Sequence, residues 1–238
     1  MKTCLISTSL AFTLFTAACG GGALDPGAGS DPGQGTHTLV VTGSAKASAR
    51  LTNAHAPGDF STDFSVHVQL NSQAVTTGKV TMTSRSGVVP LAFQSANNGR
   101  WEATAPGYDE VYILDVESGP DNISGVRVDG PDIHVFTAPT AGASVNSTLV
   151  VPIAWDRQDS AQSASIDTDN VDHLSISDTG TFSLPAGSLK AEKDTVHSNT
   201  IKIERTNRVT PAGAQGGSEL SVSVENEIDV IVQPNPAL

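Results

Sequence analysis

Apolar residues fall on every second position in five separate stretches of this chain, a period that builds strands with one buried face and does not build helices. FSVHVQL puts Phe64, Val66, Val68 and Leu70 on one side and Ser65, His67 and Gln69 on the other. VYILDV aligns Tyr112, Leu114 and Val116, and TLVVPIAW aligns Leu149, Val151, Ile153 and Trp155. TIKIER offers Ile201 and Ile203. ELSVSVENEIDVIV carries Leu220, Val222 and Val224, then Ile228, Val230 and Val232, with a bend or bulge expected near Glu225–Glu227. Turn signals separate these runs at Ala56–Asp59, Asn97–Gly99, Ser118–Asn122, Asp129–Asp132 and Gly216–Gly217. Short strands at roughly ten-residue spacing predict an all-β sandwich or barrel. One-sided alternation predicts antiparallel sheets with one wet face. The chain is rich in Ser, Thr, Val, Gly and Asp and poor in Lys, Leu and Met, which suits strands and turns.

The pattern breaks at TAPTAG, residues 137–142, and a new strand run follows. The predicted organisation is a leader at 1–18, a tether at 19–35, a first sandwich at 36–136 and a second at 137–238.

The leader reading comes from the first residues. Lys2 is followed by an uncharged apolar run, Leu5 to Phe15, too short for the roughly 20 residues of a membrane span. It fits the core of a secretory signal, closed by the small residues Thr16, Ala17 and Ala18 before Cys19. Cys4 lies inside the leader, so Cys19 is the lone cysteine of the mature chain, and a lone thiol in an exported protein needs explaining. Gly20 to Gly35, GGGALDPGAGSDPGQG, reads as a flexible tether.

Thr16-Ala17-Ala18-Cys19 resembles the lipobox of bacterial lipoproteins, with Thr16 where that family mostly has leucine. The resemblance implies that Cys19 carries diacylglycerol and becomes the mature N-terminus. Gly20 at the next position implies an outer-membrane or surface destination. Two or three acyl chains would give stable anchoring at about 0.8 kcal/mol per buried CH2.

A second resemblance is to bacterial extracellular immunoglobulin-like or fibronectin-type modules. It rests on GRWEATAPGYDEVYILDVESG (Gly99 to Gly119), on the opening Pro139 to Val145, and on GTFSLPAGSL (Gly180 to Leu189). It implies two antiparallel immunoglobulin-like β-sandwiches, with Trp101 plugging the first core and Tyr108 at a turn. Each half, at about 100 residues, has the size of such a module.

Loss of Lys2 leaves 12 basic against 25 acidic residues, a net charge of −13. That balance argues against nucleic acid as a partner, which demands Lys/Arg clusters. The six histidines are dispersed, with no zinc-type spacing. No G-x-S-x-G elbow or S-x-x-K motif marks a nucleophile, and no cofactor is expected. SIDTDNVDH gathers Asp167, Asp169 and Asp172 as calcium candidates. Calcium requires six to eight oxygens, and three carboxylates on one loop fall short.

The expected function is therefore a lipid-anchored, non-enzymatic envelope protein with a structural, adhesive or scaffolding role. Its partners would be the membrane, through Cys19, and an envelope protein or glycan. The alternative is an envelope module that captures a glycan or calcium. A hydrolase whose residues converge only in the fold stands third.

Overall fold

The computed structural model describes residues 24–96 and 99–237. The leader and Cys19 lie outside them. Among the described residues the only helical element is the single 3-10 turn Pro57–Asp59, and no helix is long and apolar enough to cross a membrane.

The first part of the chain forms β1 (Gln34–Gly35), β2 (Leu39–Ala49), β3 (Phe60–Leu70), β4 (Gln73–Ala74), β5 (Lys79–Ser84), β6 (Gly87–Pro90), β7 (Ala92–Gln94), β8 (Arg100–Pro106), β9 (Val111–Ser118) and β10 (Asp121–Asp129). The second part forms β11 (Val135–Ala138), β12 (Ser144–Val145), β13 (Val151–Asp156), β14 (Ser163–Thr168), β15 (Val171–Ile176), β16 (Thr181–Leu184), β17 (His197–Val209) and β18 (Glu219–Val232). They make an all-β, layered structure. One long sheet runs β15-β14-β17-β18-β2-β3-β8-β7. A sheet ordered β1-β10-β9-β5-β6 and a three-stranded sheet β11-β13-β16 complete the assembly.

Two apolar cores result. Phe64, Val66, Trp101 and Leu114 belong to the first, and Phe136, Ile153, Trp155 and Ile203 to the second. The predicted alternation is found in the buried faces of β3, β9, β17 and β18. Trp101 is buried, its Nε1 donates to the Val75 carbonyl at 3.0 Å, and it meets Phe93 edge-on. Tyr108 is buried in the loop before β9, and its hydroxyl donates to the Pro131 carbonyl at 2.6 Å.

Leu149 departs from the predicted face. It lies in the turn before β13 and is 61% exposed, so the buried series starts at Val151. The expected break at Glu225–Glu227 is also absent. β17 and β18 pair without a register shift from His197↔Val232 to Val209↔Leu220. Asn226 continues the inward parity between Val224 and Ile228 and is fully buried. The pairing stays in register through Asn226, whose carboxamide is fully engaged. Its oxygen accepts from the Ala54 and Glu227 amides, and its nitrogen donates to the Ala54 and His134 carbonyls.

This long strand links the two cores. Leu220, Val222 and Val224 lie in the first core, where β18 runs parallel to β2. Ile228, Val230 and Val232 lie in the second. A cut at residue 137 would strip the first core of three buried aliphatic side chains, each contributing about 1.5–3 kcal/mol. On the outer face Lys46 bridges Glu204 and Glu225 at 2.8 Å each, and Lys202 reaches Glu227 at 3.0 Å. This ladder ties β2, β17 and β18 across the junction.

Residues 24–35, the described part of the predicted tether, are ordered against the first sandwich. Asp31 and Arg127 exchange backbone hydrogen bonds, and β1 pairs with β10. The Arg127 guanidinium donates to the Gly29 and Asp25 carbonyls. A side chain at Gly33 would collide with the Ser124 carbonyl, and Gly33 has a φ of +67°. Glycine here permits close backbone approach as well as the left-handed conformation, so composition alone misleads.

Candidate functional site

The junction between the two cores concentrates the buried polar groups. Arg205 lies on the inward parity of β17 with Ile201 and Ile203 and is fully buried. Its Nε donates to Asp178 Oδ2 at 3.0 Å and its Nη2 to Asp132 Oδ1 at 3.1 Å. It also donates to the backbone carbonyls of Asp132 and Asp159. Asp132 accepts from the Gln158 amide at 2.6 Å and the Asp159 amide at 3.2 Å. Asp178 accepts from Trp155 Nε1 at 3.2 Å and the Ala161 amide at 2.7 Å. Both carboxylates are thus occupied in holding a buried cation and the loop after β13. That is a structural arrangement.

His134 lies beside this network, fully buried, with neither ring nitrogen hydrogen-bonded. Burial first, and the Arg205 charge second, push its imidazole down to about 3, against the pull of Asp178, Asp132 and the nearby Ile203 backbone. A lower value in the folded than in the unfolded state means that the unfolded chain binds more protons between about pH 3 and 6.5. Stability is therefore lost as pH falls through that window. The His134 contribution is expected to cost about 2 kcal/mol by pH 5. Urea titrations at pH 7 and pH 5 check this: His134→Leu should show a smaller drop than the wild type, and equal drops would contradict it.

A cleft of about 410 Å³ opens at the junction, between the segment around Gly27 and the loop holding Asp159. Glu110, Asp129, Asp132 and Asp159 face it. The Glu110 carboxyl is raised, by partial burial first and then by Asp132 and Asp129. The cleft has no aromatic lining, and both tryptophans and both tyrosines of the chain are buried. A sugar-stacking platform cannot come from those four residues.

The predicted acidic loop is the β14–β15 hairpin. Thr168 pairs with Val171 across the turn, and a bulge between Ile166 and Thr168 puts an extra residue on β15. Asp167, Asp172 and His173 come close enough for their ligand atoms to lie within 4.8 Å of one another. Asp167 Oδ1 accepts from the His173 amide at 2.7 Å. Asp169 points elsewhere, to His197 Nε2 at 3.4 Å. The three candidates therefore split: Asp167 and Asp172 gather beside His173, and Asp169 meets His197. Calcium at a hundredfold excess over Kd would stabilise the fold by about 2.7 kcal/mol and raise Tm by several degrees. Millimolar calcium is expected to do much less, and Asp169→Ala to leave that response unchanged. A large rise abolished by Asp169→Ala would contradict this reading.

Cys19 lies outside the described residues. Sequence reading missed Arg205, Asn226 and His134. Arg205 and Asn226 did carry a signal, polar residues on the parity of buried aliphatics. His134 carried none.

The sequence matches no family model and no curated protein. Among solved structures, the chain is similar to one described as Dpr11 IG1 bound to DIP-gamma IG+IG2, at 10% identity and a TM-score of 0.24, over 82% of this chain and 98% of that one. It is similar to DIP-gamma IG1+IG2 at 8% identity and a TM-score of 0.25, over 83% and 98%. A β-1,2-glucanase from Parabacteroides distasonis aligns at 9% identity and a TM-score of 0.19, over 82% of this chain and 38% of that one. Likenesses this weak carry no argument about topology or function, and the fold class rests on the sheets themselves.

Proposed function

We propose that this chain is an exported, lipid-anchored, non-enzymatic protein of the cell envelope, acting as a rigid structural or adhesive module in the manner of an immunoglobulin-like pair. One observation carries the structural part: the unbroken β17–β18 pairing runs through both cores and joins them as one body. The buried charges Arg205, Asp132 and Asp178 at the junction hold each other and nearby backbone, which supports a load-transmitting rather than a catalytic junction. The lipobox-like Thr16-Ala17-Ala18-Cys19 supports the anchor. Its partners are the membrane, through Cys19, and an envelope protein or glycan.

Growth with a clickable fatty acid is expected to label the wild type and not Cys19→Ser. Equal labelling of both would sink the anchor. A pull-down from detergent-solubilised envelope should then recover a stable envelope partner. Turnover of an envelope glycan or peptide by the purified protein would overturn the non-enzymatic reading.

A further inference from the structure

We propose that the segment Asp25–Gly35 is a fixed strap, and that it holds the anchored protein side-on, with its junction against the lipid surface and both sandwiches alongside the membrane. The orientation rests on the lipid anchor proposed above; the strap itself does not.

The strap is built into the first sandwich along its whole course. Asp25 pairs with Arg85 at 2.9 Å, and its carbonyl accepts from Arg127. The Gly29 amide donates to Asp129 Oδ2 at 2.9 Å, and the Ser30 hydroxyl accepts from the Asp129 amide at 3.0 Å. The bridge Asp31↔Arg127 follows, and then β1 on β10. The Ala212 amide donates to the Pro32 carbonyl at 2.9 Å, closing the other side.

The strap begins at the junction between the cores, not at an end of the molecule. Pro26 and Gly27 share the junction cleft with Gln158 and Asp159 of the second sandwich. Six chain steps separate Cys19 from Asp25, a reach of about 20 Å when fully stretched. The 14 residues of β18 span about 45 Å, with Asn226 near the middle. Standing on either end would raise the strap's origin more than about 20 Å above the lipid, to the limit of a taut connection. Lying side-on brings the strap's origin within that reach. A Gly/Pro-rich stretch that looks like a stand-off spacer thus acts as a short leash.

The test uses the full mature, lipidated protein in uncharged phosphatidylcholine vesicles carrying a surface acceptor dye, so that the acidic junction meets no anionic lipid. Donor dyes go on Gln73→Cys and Val196→Cys, both exposed and at opposite ends of the long sheet. Side-on orientation predicts transfer efficiencies within twofold of each other. Inserting twelve Gly/Ser residues after Gly22 should lower both at least twofold. One strong and one weak donor, or no effect of the insertion, would overturn the orientation. Hydrogen exchange on unlipidated Cys19→Ser reads the strap separately. The Asp31 amide should exchange at least a hundredfold more slowly than free peptide, and Arg127→Met should abolish that protection. Free-peptide exchange in the Cys19→Ser protein would overturn the strap even if lipidation holds. A protected strap without lipid on the wild type would overturn the anchor and the orientation alone.

Discussion

Replacing Arg205 with methionine is expected to lower the unfolding free energy by about 3–5 kcal/mol, because it leaves buried Asp132 without its cation and buried Asp178 with only the more distant Arg157 Nε, 3.7 Å away. Asp132 and Asp178 are 7% and 3% exposed at the side chain, so water cannot take the place of the guanidinium. The Asp132 and Asp159 carbonyls lose their donor as well. Arg205→Lys should recover little, since an ammonium cannot place donors toward Asp178, Asp132 and two carbonyls from one planar fork. Urea denaturation followed by tryptophan fluorescence measures this directly. A loss below about 1 kcal/mol would mean that the junction relaxes around the missing charge. Adding Asp132→Asn and Asp178→Asn to Arg205→Met should recover part of the loss, because the amide oxygens still accept from Gln158, Asp159, Ala161 and Trp155 while the uncompensated charges are gone.

Trp155→Ala is expected to cost about 3–5 kcal/mol as a large-to-small change in a closed core. Trp155 is buried among Phe136, Ile153 and Ile203 in the second core, on the face that β13 turns inward. Its indole also donates to Asp178, which links the apolar core to the Arg205 network. Trp155→Phe keeps much of the area but loses that donor, at a cost of about 1–2 kcal/mol beyond the packing change. The indole of Trp101 still reports on the first core in both variants. An unchanged denaturation midpoint for Trp155→Ala would contradict burial. Because β17 and β18 serve both cores, the Trp101 signal should shift to lower urea together with the second core. Independent transitions would show that the shared strands do not couple them.

Period two is a local property, so the sequence by itself determined the strands and most of their buried faces. Ile201, Ile203, Leu220, Val222, Val224, Ile228, Val230 and Val232 all lie where alternation puts them. The large buried aromatics Trp155 and Tyr112 were legible for the same reason, and Trp101 through the module resemblance. Leu149 was not, because it lies in a turn, β13 begins only two residues later, and alternation has no meaning outside a strand. The fate of polar residues depended on partners far away in the chain. Asn226 could have marked a bulge, and became a buried link only because Ala54 and His134 present their backbone to it, 172 and 92 residues away. Arg205 could be inward only because Asp132, 73 residues earlier, meets it there. The glycines at 27–35 permit disorder and close packing equally, and the edge of β10 decided between them. Asp167, Asp169 and Asp172 are neighbours in sequence, yet the turn carries Asp169 to His197 while the bulge leaves the other two beside His173. Alternation fixes which side of its own strand a residue occupies, and only the tertiary structure supplies the donor, acceptor or counter-charge that makes a polar residue affordable inside.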